Sequence, residues 1–130
     1  MITPNLVETA VLLNTSSIDS YAKLRRAATR LHQIGAENVL IKGFRDGDDL
    51  VDVLFDGQTF TDFRQPRIET KNTHGSGDTL SAAICAFLAQ GVGMKTAVSQ
   101  AQQFTHRAIQ QAANWQLGDG HGPLALFSDK

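Results

Sequence analysis

Apolar residues fall along this chain in two alternating spacings. "MITPN" reads as the end of a buried strand that stops at Pro4, and "LVETAVLLN" as a short helical segment. In "SSIDSYAKLRRAATRLHQIG", Leu24, Ala27 and Leu31 recur at helical spacing. Ser16 and Asp19 stand at the separation of a capping box, and Gly35 can take the left-handed position that ends a helix. "NVLIKG" is then a β-branched run of strand length. Strand, helix and strand in that order predict a right-handed βαβ unit with parallel pairing. In "LVDVLFDGQTFTDF", two alternating runs flank Asp56-Gly57, the strongest short hairpin signal. "RQPRIET" is a further extended segment.

The second part of the chain is helical. "DTLSAAICAFLAQG" is apolar on nearly every side up to Gly91, which predicts a buried helix with Cys85 in the core. Met94, Ala97, Val98, Ala101, Phe104, Ala108, Ile109 and Ala112 mark an amphipathic helix. "LGDGHGPLALF" reads as a glycine-rich loop and a short apolar strand. The fold class is therefore α/β with one inserted hairpin.

Composition narrows the function. The 130 residues make one ordinary domain, and a formal charge of -1 favours neither nucleic acid nor an acidic membrane as partner. Lys23, Arg25, Arg26 and Arg30 form the one basic group, read as a solvated helix face. A single cysteine allows no internal disulfide, which fits a reducing, cytoplasmic setting. No apolar run is long enough to span a membrane, and "MITPNLVETAV" lacks the layout of a signal peptide.

The chemistry concentrates in "NTHGSGDTLSAAICAFLAQG", residues 72–91. Gly75 and Gly77 permit positive φ and close approach of a ligand to the backbone. Successive amides at a helix mouth can hold an anion without a lysine. Asp78 then sits in the first turn, close to whatever is bound, where a carboxylate would repel a phosphate. Two readings remain. Asp78 caps the helix, or it takes a proton from an attacking hydroxyl while the amides of Gly75, Ser76, Gly77 and Asp78 stabilise a transferring phosphoryl group. The loop matches neither a Walker A sequence nor a nucleophile elbow.

"TKNTHGSGDTLSAAICAFLAQG" resembles the signature near the C-terminus of the ribokinase-like kinases. Among them it is most similar to the hydroxymethylpyrimidine and phosphomethylpyrimidine kinases of thiamine biosynthesis and to the pyridoxal kinases. "ITPNLVETAVLL" carries a second match, a strand ending in "TPN" followed by Asn-x-x-Glu, here Asn5 and Glu8. "VLIKG" and "GDGHGP" resemble the family's nucleotide-side strand and closing loop. The four matches lie in family order over nearly the whole chain.

The resemblance implies a three-layer αβα fold, of which this chain holds the C-terminal portion: parallel strands, a hairpin and flanking helices. It implies an ATP- and Mg²⁺-dependent kinase acting on a hydroxymethyl heterocycle. The first substrate class is hydroxymethylpyrimidine or its monophosphate; the alternative is pyridoxal. Asp78 would be the base. Asn5 and Glu8 would hold Mg²⁺ through water, although as residues alone they also read as the start of a helix. Lys42, Gly43, Thr73 and His74 would lie on the nucleotide side, where Lys42 can equally be a solvated strand end and His74 a packing residue.

Two positions depart from the family pattern. Thiamine-pathway kinases commonly carry Cys where this chain has Asp78, whereas many pyridoxal kinases use Asp. The family's "KGG" is "KGF" here, with Phe44 in a place that favours glycine. The expected N-terminal half is absent from residues 1–130, so an open strand edge, an open apolar face and self-association into a homo-oligomer are expected. A non-catalytic remnant that folds or binds nucleotide only is the reading from another class.

Overall fold

The computed structural model describes residues 1–127 as two compact units, Met1–Arg67 and the segment from Ile68 onward. In the first unit, α1 (Leu6–Leu12) and α2 (Tyr21–Gln33) precede three strands, β1 (Val39–Asp46), β2 (Asp49–Phe55) and β3 (Phe60–Pro66). The strands form one antiparallel sheet in the order β1-β2-β3. The parallel pairing expected for "MITPN" and "NVLIKG" is present in reduced form, as two bridges, Ile2 to Val39 and Asn5 to Lys42.

Side chains alternate across a strand. Val39 and Ile41 of β1, with Val51, Val53 and Phe55 of β2, meet Leu24, Ala27, Ala28 and Leu31 of α2 in one cluster. Leu40 and Leu54 pair across the ladder on the opposite face and are also fully buried. Burial on both faces explains why "VLI" is a continuous apolar run rather than an alternating one.

Asp56-Gly57 makes the expected turn between β2 and β3. Asp56 Oδ1 accepts from Gln58 N at 2.9 Å and Thr59 N at 2.6 Å. Gly57 adopts φ 91°, and an added Cβ would lie 2.7 Å from His32 Cε1. His32 in turn sits edge-on to Phe55 and bonds Ala36 O at 2.9 Å, so the turn is fitted against the end of α2.

Several expectations are corrected. The chain has a second hairpin: β1 runs on to Asp46 and returns through Gly47 into β2. The strand continues past Lys42-Gly43 because that pair forms a bulge, in which Gly43 N donates to Asp52 Oδ1 at 2.7 Å. Gly43 carries the positive φ and Phe44 stays extended, packed edge-on against Tyr21, so "KGF" is accommodated without strain at Phe44. α2 starts at Tyr21, capped by Ser20 Oγ rather than by Ser16. The local reason is that Ile18 is buried in the core, which holds residues 16–19 outside the helical path. At the other end Gly35 behaves as expected: Gly35 N bonds His32 O and Ala36 N bonds Leu31 O, a Schellman pair.

The second unit holds α3 (Ser76–Ala89) and α4 (Met94–Ala112). They pack through Leu80 and Ile84 of α3 and Ala97, Val98, Ala101 and Ala108 of α4. α3 is not buried all round: Ala82, Cys85, Ala86 and Ala89 are exposed, so Cys85 is no core residue here. Its all-round apolar pattern exceeds what one partner helix can cover. The "LALF" segment is also no strand. Leu124 and Ala125 are buried, and a single backbone bond from Ala125 N reaches Ala108 O on α4.

Gly57→Ala is expected to lower the free energy of unfolding by about 1–3 kcal/mol through forced left-handed geometry and the clash with His32. Gly47→Ala is the comparison, because at φ 62° nothing lies within 4 Å of its added Cβ. Urea denaturation of both variants is the measurement. Equal losses would show that His32 gives way and that the turn is not fitted to it.

Candidate active site

The residues singled out in the sequence fall into two groups, one in each unit. In the first unit, Asn5 is the N-cap of α1 and Glu8 its third residue. The two form a complete capping box: Glu8 N donates to Asn5 Oδ1 and Asn5 N to Glu8 Oε2, both at 2.8 Å. The helix-start reading of this pair is therefore realised. It does not consume the carboxylate, since Glu8 is exposed and Oε1 meets no partner among the described residues. The parallel bridge sets Lys42 beside Asn5, with Lys42 N donating to Pro4 O at 3.0 Å. Asn5, Glu8, Lys42 and Gly43 thus gather where "MITPN" meets β1.

In the second unit, residues 73–78 form a tight mouth to α3. Gly75 is the N-cap, at φ 80° and ψ 6°, and supplies no side-chain cap. The left-handed residue followed by helical ones turns successive amides the same way, the geometry of an anion nest. Ser76 N is taken by Thr73 O at 3.1 Å. The first intrahelical bond is made by Thr79 to Gly75 O, so the amides of Gly77 and Asp78 precede the helical ladder.

Asp78 occupies the third helical position, not the cap. It is exposed, and its carboxylate makes no hydrogen bond or ion pair among the described residues. The capping reading of Asp78 fails on geometry, while the favourable placement of a negative charge in the first turn remains. His74 is exposed on the same loop, and its backbone N donates to Gly122 O at 3.2 Å.

A residue outside the expected set holds this loop in place. Asn72 is buried, and its Nδ2 donates to Ala112 O at 2.6 Å and Trp115 O at 2.8 Å. Thr70 Oγ1 donates to Ala113 O at 2.9 Å. Two polar side chains thus bond carbonyls at and just beyond the end of α4, at Ala112, Ala113 and Trp115, and tie the segment before the glycines to that helix end. Gly122 fits against Asn72, since a Cβ there would overlap Asn72 Oδ1. This gives "GDGHGP" a packing role beside the loop. Asn72 has no periodic signal; its only trace in the sequence is a polar pair, Thr70 and Asn72, just ahead of the glycines.

No helix among the described residues is long and apolar enough to cross a membrane, and no group of three or more His, Cys, Asp or Glu side chains could cage a metal. A metal held by few carboxylates and water is compatible with the exposed Glu8.

The phosphomethylpyrimidine kinase family model matches residues 1–125. The chain is 41% identical over 128 residues to a hydroxymethylpyrimidine/phosphomethylpyrimidine kinase of Rhizobium meliloti, covering 98% of this chain and 48% of that protein. It is 38% identical to the enzyme of the same description from Bacillus subtilis, covering 99% and 47%. Among solved structures, a Staphylococcus aureus pyridoxal kinase in complex with AMP-PCP and pyridoxal superposes with a TM-score of 0.87 at 36% identity, covering 95% of this chain and 47% of that one. The chain therefore spans about half the length of these three relatives, and its α/β fold is that of the ribokinase-like kinases. By the extent and identity of these matches, the chain belongs to the phosphomethylpyrimidine kinase family.

Proposed function

We propose that this chain carries the phosphate-holding half of an ATP-dependent kinase for hydroxymethylpyrimidine or its monophosphate. The observation that supports this best is Asp78: an exposed carboxylate without a partner, at a helix mouth whose left-handed Gly75 aligns free amides. A structural acid would be expected to cap or to pair. An acid left open beside an anion nest suits proton transfer during phosphoryl transfer.

In this reading, the acceptor hydroxyl gives its proton to Asp78 as its oxygen bonds the γ-phosphorus. The bond from phosphorus to the leaving oxygen breaks in line. The amides of Gly77 and Asp78 offer donors to the charge that develops on the transferring group, and the dipole of α3 adds to them. Thr73 and His74 border the same mouth on the nucleotide side. Asn5 and Glu8 would hold Mg²⁺ through water, with Lys42 and Gly43 beside them; when bound, the ion supplies charge neutralisation on the phosphates. The proposed setting is cytoplasmic, with no nucleic-acid or membrane partner, in line with the balanced charge.

Pyridoxal is the second reading. The Asp at position 78 favours it, and the Staphylococcus aureus neighbour is a pyridoxal kinase. A kinase assay with each heterocycle decides between them. An inert protein that fails to bind ATP·Mg by titration calorimetry would instead be the non-catalytic remnant.

Asp78→Asn is expected to cut phosphoryl transfer by about 10²–10⁴-fold, the usual contribution of a positioned base, with nucleotide affinity largely kept. Retention of more than about a tenth of the rate would remove Asp78 from the chemistry. Steady-state kinetics and calorimetry on one preparation give both quantities.

Glu8→Gln separates the two roles of that residue. Glutamine also completes a capping box, so α1 should keep its stability. The Mg²⁺ concentration for half-maximal rate should rise while the KM of the heterocycle stays level. An unchanged Mg²⁺ titration would leave Glu8 with its cap alone.

We also propose that residues 1–130 self-associate. Val7 and Val11 of α1 are each 74% exposed, and Phe127 is 95% exposed. At about 25 cal/mol per Å², a few hundred Å² of such surface is worth several kcal/mol when covered. Sedimentation equilibrium at micromolar concentration should give a mass above 14.1 kDa. A monodisperse monomer that binds no apolar dye would show that these faces need no cover.

A further inference from the structure

The basic group on α2 is more than a solvated face. Lys23, Arg26 and Arg30 lie on one side of the helix and border a cavity of about 240 Å³. The opposite rim is the run Thr15, Ser16 and Ser17, between α1 and α2. Asn14 shapes that rim. It is the one non-glycine residue with positive φ among the described residues, at 46°, and it folds the chain back so that Thr15 N reaches Ala10 O at 3.0 Å. The cavity floor is apolar, made by Leu13, Ile18 and Ala27.

We propose that this cavity binds a small phosphate-class oxyanion. Its donors are largely unspent. The guanidinium of Arg26 meets no acceptor among the described residues, and neither do the hydroxyls of the three rim residues. Arg30 makes one long bond, 3.4 Å from Nη2 to Leu13 O, which leaves its other N–H groups available. Only Lys23 is paired, with Asp19 at 2.8 Å, and both are exposed. Three cations against one carboxylate leave a positive rim around a concave site. A basic helix face that serves solubility alone needs no cavity in front of it, nor hydroxyls across from it.

Volume decides the size of the ligand. About 240 Å³ lies below the usual range for pockets that hold drug-sized molecules, roughly 300–1,000 Å³. It suits a phosphate or the head of a phosphate monoester, not a whole nucleotide. Guanidinium forks with hydroxyl donors are the standard means of holding such a group. The site is separate from the Asn5–Glu8 pair. The cavity meets α1 at its C-terminal end, while that pair caps its N-terminal end, and seven residues of helix span about 10 Å.

Titration of inorganic phosphate into ¹⁵N-labelled protein at constant ionic strength, with chloride as the control, tests this. Saturable shifts should appear at residues 13–17 and 23–30. Phosphate at the mouth of α3 would instead move residues 73–78, so the outcome for the kinase reading is scored separately. Arg26→Gln should weaken the first set by about tenfold, as expected for loss of a charge-assisted hydrogen bond. Arg107→Gln, an exposed change on α4, should leave it unaltered. Linear, unsaturated shifts in residues 13–30, or an affinity that Arg26→Gln does not lower, would overturn the proposal.

Discussion

One buried amide, that of Asn72, bonds two carbonyls at the end of α4 and just beyond it, Ala112 O and Trp115 O. That is the interaction on which the candidate site depends. The Asn72 side chain is buried, and a buried amide left without acceptors would cost about 1–3 kcal/mol, so its pairing with Ala112 O and Trp115 O is strongly held. Because Asn72 stands three residues before Gly75, the same bond fixes where the glycine mouth begins. Thr70 repeats the arrangement at Ala113, and Gly122 closes on Asn72 from the other side. A loop of small residues with Gly at its centre has little stiffness of its own. Its order comes from being the C-terminal cap of one helix and the N-terminal entry of another.

The two helix entries that carry the proposed chemistry are built in opposite ways. At α1 the orphan amides are satisfied inside the protein, by Asn5 and Glu8 on each other. At α3 the cap is a glycine without a side chain; Ser76 N is taken by Thr73 O, and the amides of Gly77 and Asp78 are left outside the helical ladder. The difference matches the proposed tasks. A metal held through water needs an oriented carboxylate, and the capping box orients Glu8 through one oxygen while leaving the other open. A transferring phosphoryl group needs donors, and a side-chain cap at position 75 would occupy them. The helix dipole supports Asp78 in the first turn of α3 by about 0.3–1 kcal/mol. That is enough to favour an acid there and too little to require one.

Much of this was legible where the signal is local. Asp56-Gly57 between alternating runs gave the β2–β3 hairpin, and Gly35 and Gly91 ended their helices as read. The first hairpin was hidden although Asp46-Gly47 offers the same dipeptide. The bulge at Lys42-Gly43 breaks the alternation, so β1 looked finished at Gly43. Ser16 and Ser20 are both competent caps four residues apart; burial of Ile18, a tertiary fact, selects the second. "LALF" has strand composition, but Leu124 and Ala125 bury against α4 with no neighbouring strand among the described residues. The motif residues were legible through family resemblance and Asn72 was not, because its role is defined by partners 40 and more positions away.

The pattern of α3 shows how far periodicity can be taken. A helix apolar on all sides must be covered on all sides, and the described residues cover only the side of Leu80 and Ile84. Ala82, Cys85, Ala86 and Ala89 form the uncovered side, and all four are small. Small side chains expose little apolar area per residue, so the open face costs less than the same face built from leucine. They also let another backbone approach closely. The mouth of α3 proposed to hold phosphate lies at the end of this uncovered side, where Asp78 is followed by Ala82 at one helical turn. Whatever covers the alanines therefore also borders Asp78 and sets how much water reaches it. Since electrostatic stabilisation strengthens as water is excluded, covering α3 would bear on the proposed chemistry as well as on the fold.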